Sequence, residues 1–323
     1  MDTSRARSSA VLGCAVVLAF TVAGCGAGTA DEAGADGEIT VNTARGEVAL
    51  DEQATNVISL EYSATENLLA LGVEPVGVAD TEGYQEWVSA AGAELPDGVT
   101  DVGTRQEPSI ESIRALEPDL IVSDDERLAE NYDQLSEIAP VLAFDPTADP
   151  ELETMRTNFT ELATAVGRED EAADVLEALE ERIAETGERL AEAGAEGATF
   201  ALAQGFSEEG APTIRLFTSE AMAAMLLEEA GLHNGWQGDP DEWGMTTVGV
   251  ESLTQIEDDA TFLYVSLPGD DPFAGELSDN AVWQDLPFVA EDRVAALDPG
   301  TWLFGGPLSA MMLLDESASA IAD

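Results

Sequence analysis

Short apolar runs alternating with helical repeats organise the chain from residue 57 onward. Val57-Ile58-Ser59-Leu60 reads as a buried strand, Ala64 to Leu71 as a helix stopped by Gly72, and Val76-Gly77-Val78-Ala79 as a second strand. Ile110 to Leu116 is then a helix ended before Pro118, Leu120-Ile121-Val122 a third strand, Ala129 to Ile138 a helix, and Val141-Leu142-Ala143-Phe144 a fourth strand. This rhythm predicts right-handed βαβ units and a parallel sheet. Ligands of such sheets bind beyond the carboxyl ends of the strands.

Between Glu151 and Ala193 the pattern becomes sustained helix, with Met155, Phe159, Leu162, Ala163 and Val166 at spacings of three and four. Gly167-Arg168 interrupts it, and Val175, Leu176, Leu179, Ile183 and Leu190 resume it. A long helix here is either a stiff connector between two halves or a core helix of one larger domain; periodicity fits both. The alternation then returns with strand Phe200-Ala201-Leu202, helices Ala221 to Ala230 and Val250 to Ile256, strand Phe262-Leu263-Tyr264-Val265, and a closing helix from Leu308 to about Ala322. The span from Ile39 onward, about 285 residues, suits two lobes better than one core. The expected divisions are 39–148 for the first lobe, 149–168 for the connecting helix and 169–323 for the second lobe.

The N-terminus carries a different signal. Arg5 and Arg7 precede an apolar run from Ala10 to Ala23 that ends in Val22-Ala23-Gly24-Cys25. A charged start, a short apolar stretch and small residues at the cut predict a lipoprotein signal peptide over 1–24, with lipidation at Cys25. Residues 25–38, mostly Gly, Ala, Asp and Glu, read as a flexible tether. The other cysteine, Cys14, would leave with the signal, so the mature chain has no disulfide partner and no thiolate nucleophile. The expected location is extracytoplasmic, lipid-anchored to the cell membrane.

Charge narrows the partners further. Acidic residues number 66 against 12 basic ones, giving a formal charge of -54. Nucleic acid is excluded by this field. Self-repulsion on this scale is relieved by salt, since the Debye length falls to about 3 Å at 1 M, and the reading is a halophilic source. A GC-rich genome without lysine codons is the plainer alternative.

Several chemistries lack their residues. His233 is the one histidine of the chain, in the turn Gly231-Leu232-His233-Asn234-Gly235, so a His/Cys/carboxylate cage for a metal is not expected. There is no Gly-x-Ser-x-Gly elbow for a hydrolase and no Walker or Gly-x-Gly-x-x-Gly loop for nucleotides. Among 66 acids, a pair of glycosidase carboxylates carries no information. Arginines and large aromatics are the scarce, informative side chains.

Several blocks carry a family resemblance. They include Val57 to Tyr62, Glu66 to Gly72, Gly77 to Asp80, Tyr84 to Val88, Asp101-Val102-Gly103-Thr104-Arg105-Gln106-Glu107-Pro108, and Leu116-Glu117-Pro118-Asp119-Leu120-Ile121. Later ones are Asn234 to Gly238, Trp243-Gly244-Met245-Thr246, Trp283 to Val289, and Trp302-Leu303-Phe304-Gly305-Gly306-Pro307-Leu308. In these the chain resembles the ferric-hydroxamate (ferrichrome-type) solute-binding lipoproteins of siderophore ABC importers. The resemblance implies an α/β fold of two Rossmann-like lobes with mainly parallel sheets, joined by one long α-helix in the class III periplasmic binding protein manner. It implies a binding protein rather than an enzyme, with an iron(III)-siderophore as ligand, no cofactor and no directly bound metal, an ABC permease as partner, and a monomer.

By the same resemblance, Arg105 matches the arginine that hydrogen-bonds the hydroxamate oxygens around iron. The guanidinium fork suits paired anionic oxygens. Tyr62, Tyr84, Trp87, Trp243, Trp302 and Phe304 match aromatic cleft positions, core packing being the alternative for each. Glu111 and Glu251, one per lobe, match permease-docking acids, and each also opens a predicted helix. Two arginines depart from the family pattern: Arg127, in Ser123-Asp124-Asp125-Glu126-Arg127, and Arg215, in Thr213-Ile214-Arg215-Leu216-Phe217. They fit a chelate with free carboxylates, or simple pairing with neighbouring acids. A corrinoid, haem or catecholate chelate in the same fold, a surface-tethered hydrolase, and an adhesion or sensor lipoprotein are the competing readings.

Overall fold

Apolar runs in the first half pair side by side in a computed structural model that describes residues 39–208 and 211–322. The expected signal segment, Cys14, Cys25 and the tether lie outside the described residues. A hairpin of β1 (Ile39–Thr43) and β2 (Gly46–Leu50) comes first and buries Val41 and Leu50 against the first core. The first sheet is wholly parallel, in the order β5 (Thr100–Asp101), β4 (Gly77–Val78), β3 (Val57–Ser59), β6 (Leu120–Asp124), β7 (Val141–Phe144). Val57, Ile58, Leu120, Ile121 and Val122 are fully buried because apolar side chains cover both sheet faces. The strand order reverses between β3 and β6, which opens a crevice at their carboxyl ends.

Helix Glu151–Val166 enters two cores at once. Its first turns place Leu152 and Met155 among Leu202, Phe217 and Met222, whereas Phe159, Leu162, Ala163 and Val166 pack with the first sheet. Gly167 ends it in the left-handed conformation, and a second helix, Glu169–Glu192, lays Leu179, Ile183 and Leu190 beside Leu313 and Leu314 of the closing helix Pro307–Ala322.

The second sheet is mixed. Its order is β11 (Met245–Val248), β9 (Ala211–Phe217), β8 (Thr199–Glu208), β12 (Thr261–Val265), β13 (Val294–Ala296), with β10 (His233–Asn234) also on β8. Neighbours β10, β12 and β13 run parallel, but β8, β9 and β11 are antiparallel. The passage from Glu208 to Ala211 is far too short for the crossover that parallel strands need. Two smaller departures follow from local sequence. The single helix expected over Ala129 to Ile138 is instead two short ones, Asp125–Leu128 and Tyr132–Ser136, and Val250–Gln255 is a 3-10 helix. No helix among the described residues is long and apolar enough to cross a membrane.

Two buried glutamates tie helix N-termini to other elements. Glu66, from helix Tyr62–Ala70, accepts from Gly306 N at 3.1 Å, Ser309 N at 2.8 Å and Ser309 Oγ at 2.6 Å at the start of the closing helix. Glu151 accepts from Met222 N at 2.7 Å, at the start of helix Met222–Glu229. Burial pushes the Glu151 carboxyl up to about 7, against an ordinary 4.5, with the Met222 bond opposing that rise. The raised folded-state value means Glu151 contributes stability fully below about pH 4.5, and that contribution is lost as the pH climbs through 7. Urea unfolding should therefore show a shallower stability decline between pH 4.5 and 8 in Glu151→Gln, with a difference from wild type of about 2 kcal/mol. Parallel declines in the two proteins would contradict this.

Candidate ligand-binding cleft

The first wall grows from the carboxyl ends of β3, β5 and β6. Glu61, directly after β3, caps helix Tyr62–Ala70 by accepting from Tyr62 N at 2.8 Å, and is only 5% exposed. Both of its oxygens then take a guanidinium: Arg105 Nη1 donates to Oε1 at 2.7 Å and Arg127 Nε to Oε2 at 2.9 Å. Arg105 arrives on a tight turn after β5. Gly103 there has φ +100, and a Cβ on it would come within 2.9 Å of the Glu107 carbonyl oxygen, so glycine is required for the turn back to Pro108.

Tyr62 lies beneath Arg105, its ring centroid 3.8 Å from the guanidinium carbon, and its hydroxyl donates to Asp80 Oδ2 at 2.5 Å. Burial acts most strongly and lowers the Arg105 pKa, but the charge and hydrogen bond of Glu61 together with the Tyr62 and Asp80 charges outweigh it, and the net direction is up. Asp124, at the end of β6, is driven the other way for an acid: burial first, then the Glu61 charge, push its carboxyl well above the usual range. Two guanidiniums sharing one carboxylate leave this wall with cationic donors at the cleft within a strongly acidic protein.

The opposite wall is aromatic. Asp241 Oδ1 accepts from Trp243 N at 2.9 Å and Met245 N at 3.0 Å, and Gly244 (φ +65) packs so tightly on Ala221 N that a Cβ would stand 2.3 Å away. That turn presents Trp243, edge-on to Phe304 at 5.7 Å between centroids. Trp302 packs on Phe304 at 5.1 Å and reaches Tyr62 of the first wall at 5.4 Å. Arg215 comes from β9, opposite Gln204 of β8 and Thr247 of β11, and Nη1 donates to Gln204 Oε1 at 3.1 Å.

Between these walls lies a cleft of about 410 Å³. Arg105, Arg127, Arg215, Trp243, Trp302 and Phe304 all line it, together with Glu61, Asp124, Glu126 and Asp241, which sequence reasoning did not single out. Three expected residues stand elsewhere. Tyr62 and Tyr84 are 1% exposed, the first committed beneath Arg105 and the second donating its hydroxyl to the Ala93 carbonyl at 2.8 Å, while Trp87 packs on Trp302 at 5.7 Å, behind the wall rather than on it. Behind Trp243 and Phe304 a narrower pocket of about 50 Å³ runs toward Met155 and Glu151. Glu111 and Glu251 are exposed, each in the first turn of a short helix away from the cleft lining.

A cleft with Arg105, Arg127 and Glu61 on one wall and Trp243, Trp302, Phe304 and Arg215 on the other suits a bound solute. The chain belongs to the periplasmic binding protein family, whose model matches residues 57–301. It is 30% identical over 256 residues to the iron(3+)-hydroxamate-binding protein FhuD of Escherichia coli (strain K12), covering 79% of this chain and 83% of that one. Over 295 residues it is 28% identical to the putative ABC transporter substrate-binding lipoprotein YhfQ of Bacillus subtilis (strain 168), covering 89% of each. Among solved structures it is similar to the Fe3+-Desferal bound siderophore binding protein FhuD from Vibrio cholerae, with a TM-score of 0.73, 28% identity and coverage of 83% of this chain and 98% of that one.

Proposed function

We propose that this protein captures an iron(III)-siderophore of hydroxamate type outside the cytoplasmic membrane and delivers it to an ABC importer. The carrying observation is the pair of guanidiniums on Glu61 facing the Trp243, Trp302 and Phe304 wall across the cleft. Hydroxamate oxygens bound to iron retain negative charge and lone pairs, which suits Arg105, and the indole and phenyl faces suit methylene arms. The siderophore supplies the oxygen shell of the cargo iron, so no protein side chain needs to coordinate it. The relatives' names support the reading: FhuD of E. coli is called an iron(3+)-hydroxamate-binding protein, which supports the ligand class, and YhfQ an ABC transporter substrate-binding lipoprotein, which supports delivery to an importer.

In this reading Cys25 carries the lipid anchor, the protein works as a monomer, and Glu111 and Glu251 meet the permease. The charge of -54 supports a salt-adapted source, for which the urea midpoint should rise with NaCl. The ligand assignment is tested by quenching of intrinsic fluorescence with ferrichrome, ferrioxamine B, ferric schizokinen and cobalamin. Saturable quenching by ferric hydroxamates at concentrations where cobalamin is inert is the expected result. Saturation by cobalamin alone would assign the cleft to a corrinoid.

A further inference from the structure

Arginine in this chain rarely lacks an acid. Arg45, Arg105, Arg127, Arg156, Arg168, Arg182 and Arg293 all have a carboxylate oxygen within 4 Å. Arg215 differs: it is half-buried in the cleft wall, and its hydrogen bond goes to a neutral amide, Gln204 Oε1, itself on a buried residue. Its guanidinium carbon stacks 4.8 Å from the Phe206 ring centroid, which fixes the plane of the fork without neutralising it. Asp241, an acid lining the same cleft, spends one oxygen on Trp243 N and Met245 N and forms no ion pair with it. Burial lowers the Arg215 pKa, with Asp241 and Glu208 opposing, so the cation is held where solvent compensates it poorly.

A guanidinium offers five N–H donors, and one of Arg215's is used. The rest belong to a side chain that lines the cleft across from Arg105 and Arg127. With 66 acidic residues available, a cleft cation without an acid is a position kept for an anion from outside the chain. The iron-bound oxygens are the business of Arg105 on the other wall, so this anion sits elsewhere on the ligand.

Resting on the siderophore reading above, we propose that the ligand carries a free carboxylate outside the iron's coordination sphere, and that Arg215 selects it through a forked pair of hydrogen bonds. Arg127 does not compete for this role in the same way, because its Nε is committed to Glu61. A chelate without such a carboxylate would leave the half-buried Arg215 cation without an anionic partner, and so binds more weakly.

The test compares two ferric citrate-dihydroxamates on the purified protein at one ionic strength: aerobactin, whose two hydroxylysine carboxylates do not bind iron, and arthrobactin, the same scaffold without them. Wild type should bind ferric aerobactin at least tenfold more tightly. That preference should collapse toward unity in Arg215→Gln, which keeps a hydrogen-bonding amide, and survive in part in Arg215→Lys, which keeps the charge. Equal affinities in wild type, or a preference that persists in Arg215→Gln, would overturn the carboxylate assignment and leave the siderophore reading standing. Failure of both chelates and of ferrichrome to bind would overturn the two together.

Discussion

Arg105→Ala should lower the affinity for ferric hydroxamates at least tenfold. The side chain is 16% exposed and held on three sides, by Glu61 Oε1 at 2.7 Å, by the Tyr62 ring at 3.8 Å and by Trp302 at 5.9 Å. A cation so constrained loses little rotamer freedom when an anionic oxygen arrives, and each charge-assisted bond is worth about 1.5–3 kcal/mol. One such bond already exceeds the roughly 1.4 kcal/mol that separates tenfold steps in affinity. Fluorescence quenching by ferrichrome reads the effect, and Arg105→Lys separates charge from fork, since lysine restores only the former. An unchanged affinity in Arg105→Ala would remove this residue from the site.

Glu66→Ala should destabilise the fold by about 2–4 kcal/mol, although it lies away from the cleft lining. The substitution strands three donors at once, Gly306 N, Ser309 N and Ser309 Oγ, at the N-terminus of the closing helix, and leaves a hole in a place with no solvent. The carboxylate comes from the first lobe and the helix follows the Trp302-Leu303-Phe304 segment of the opposite wall, so the bond also fixes the two walls relative to each other. A lower urea midpoint with an unchanged slope is the expected signature. Glu66→Gln keeps an acceptor and should recover about half of the loss. A change under about 0.5 kcal/mol in Glu66→Ala would mean that those donors find water instead.

Four strands of the first sheet are legible because they are buried and read as apolar runs, as in Leu120-Ile121-Val122, whereas β5, Thr100–Asp101, is polar and exposed and has no such run. Strand β8 was only partly legible. Beyond Phe200-Ala201-Leu202 it continues through Gln204, Gly205 and Ser207, whose polarity hides a strand that is ten residues long. Its antiparallel partner β9 mixes Pro212, Thr213 and Arg215 with Ile214 and Leu216, an alternation too short to stand out.

The site divides along a similar line. Arginines and tryptophans stand out because the chain has few of them, whereas Glu61, Asp124 and Asp241 are camouflaged among 66 acids and are recognisable only through the side chains they meet. Aromatic identity also says nothing about depth. Tyr62, Tyr84 and Trp87 share their chemistry with Trp302, yet the helices Tyr62–Ala70 and Thr81–Trp87 turn them into the packing behind the wall. The unpaired state of Arg215 has no sequence signal, because it depends on where β9 and β11 place Gln204 and Asp241.

The most direct measurement is a crystal structure of the protein grown with ferrichrome. Density for the chelate should lie between Arg105 and the Trp243 and Trp302 rings, with a hydroxamate oxygen about 3 Å from the Arg105 guanidinium and only siderophore oxygens on the iron. A chelate bound outside this cleft, or iron ligated by a carboxylate of the protein, would contradict the assignment.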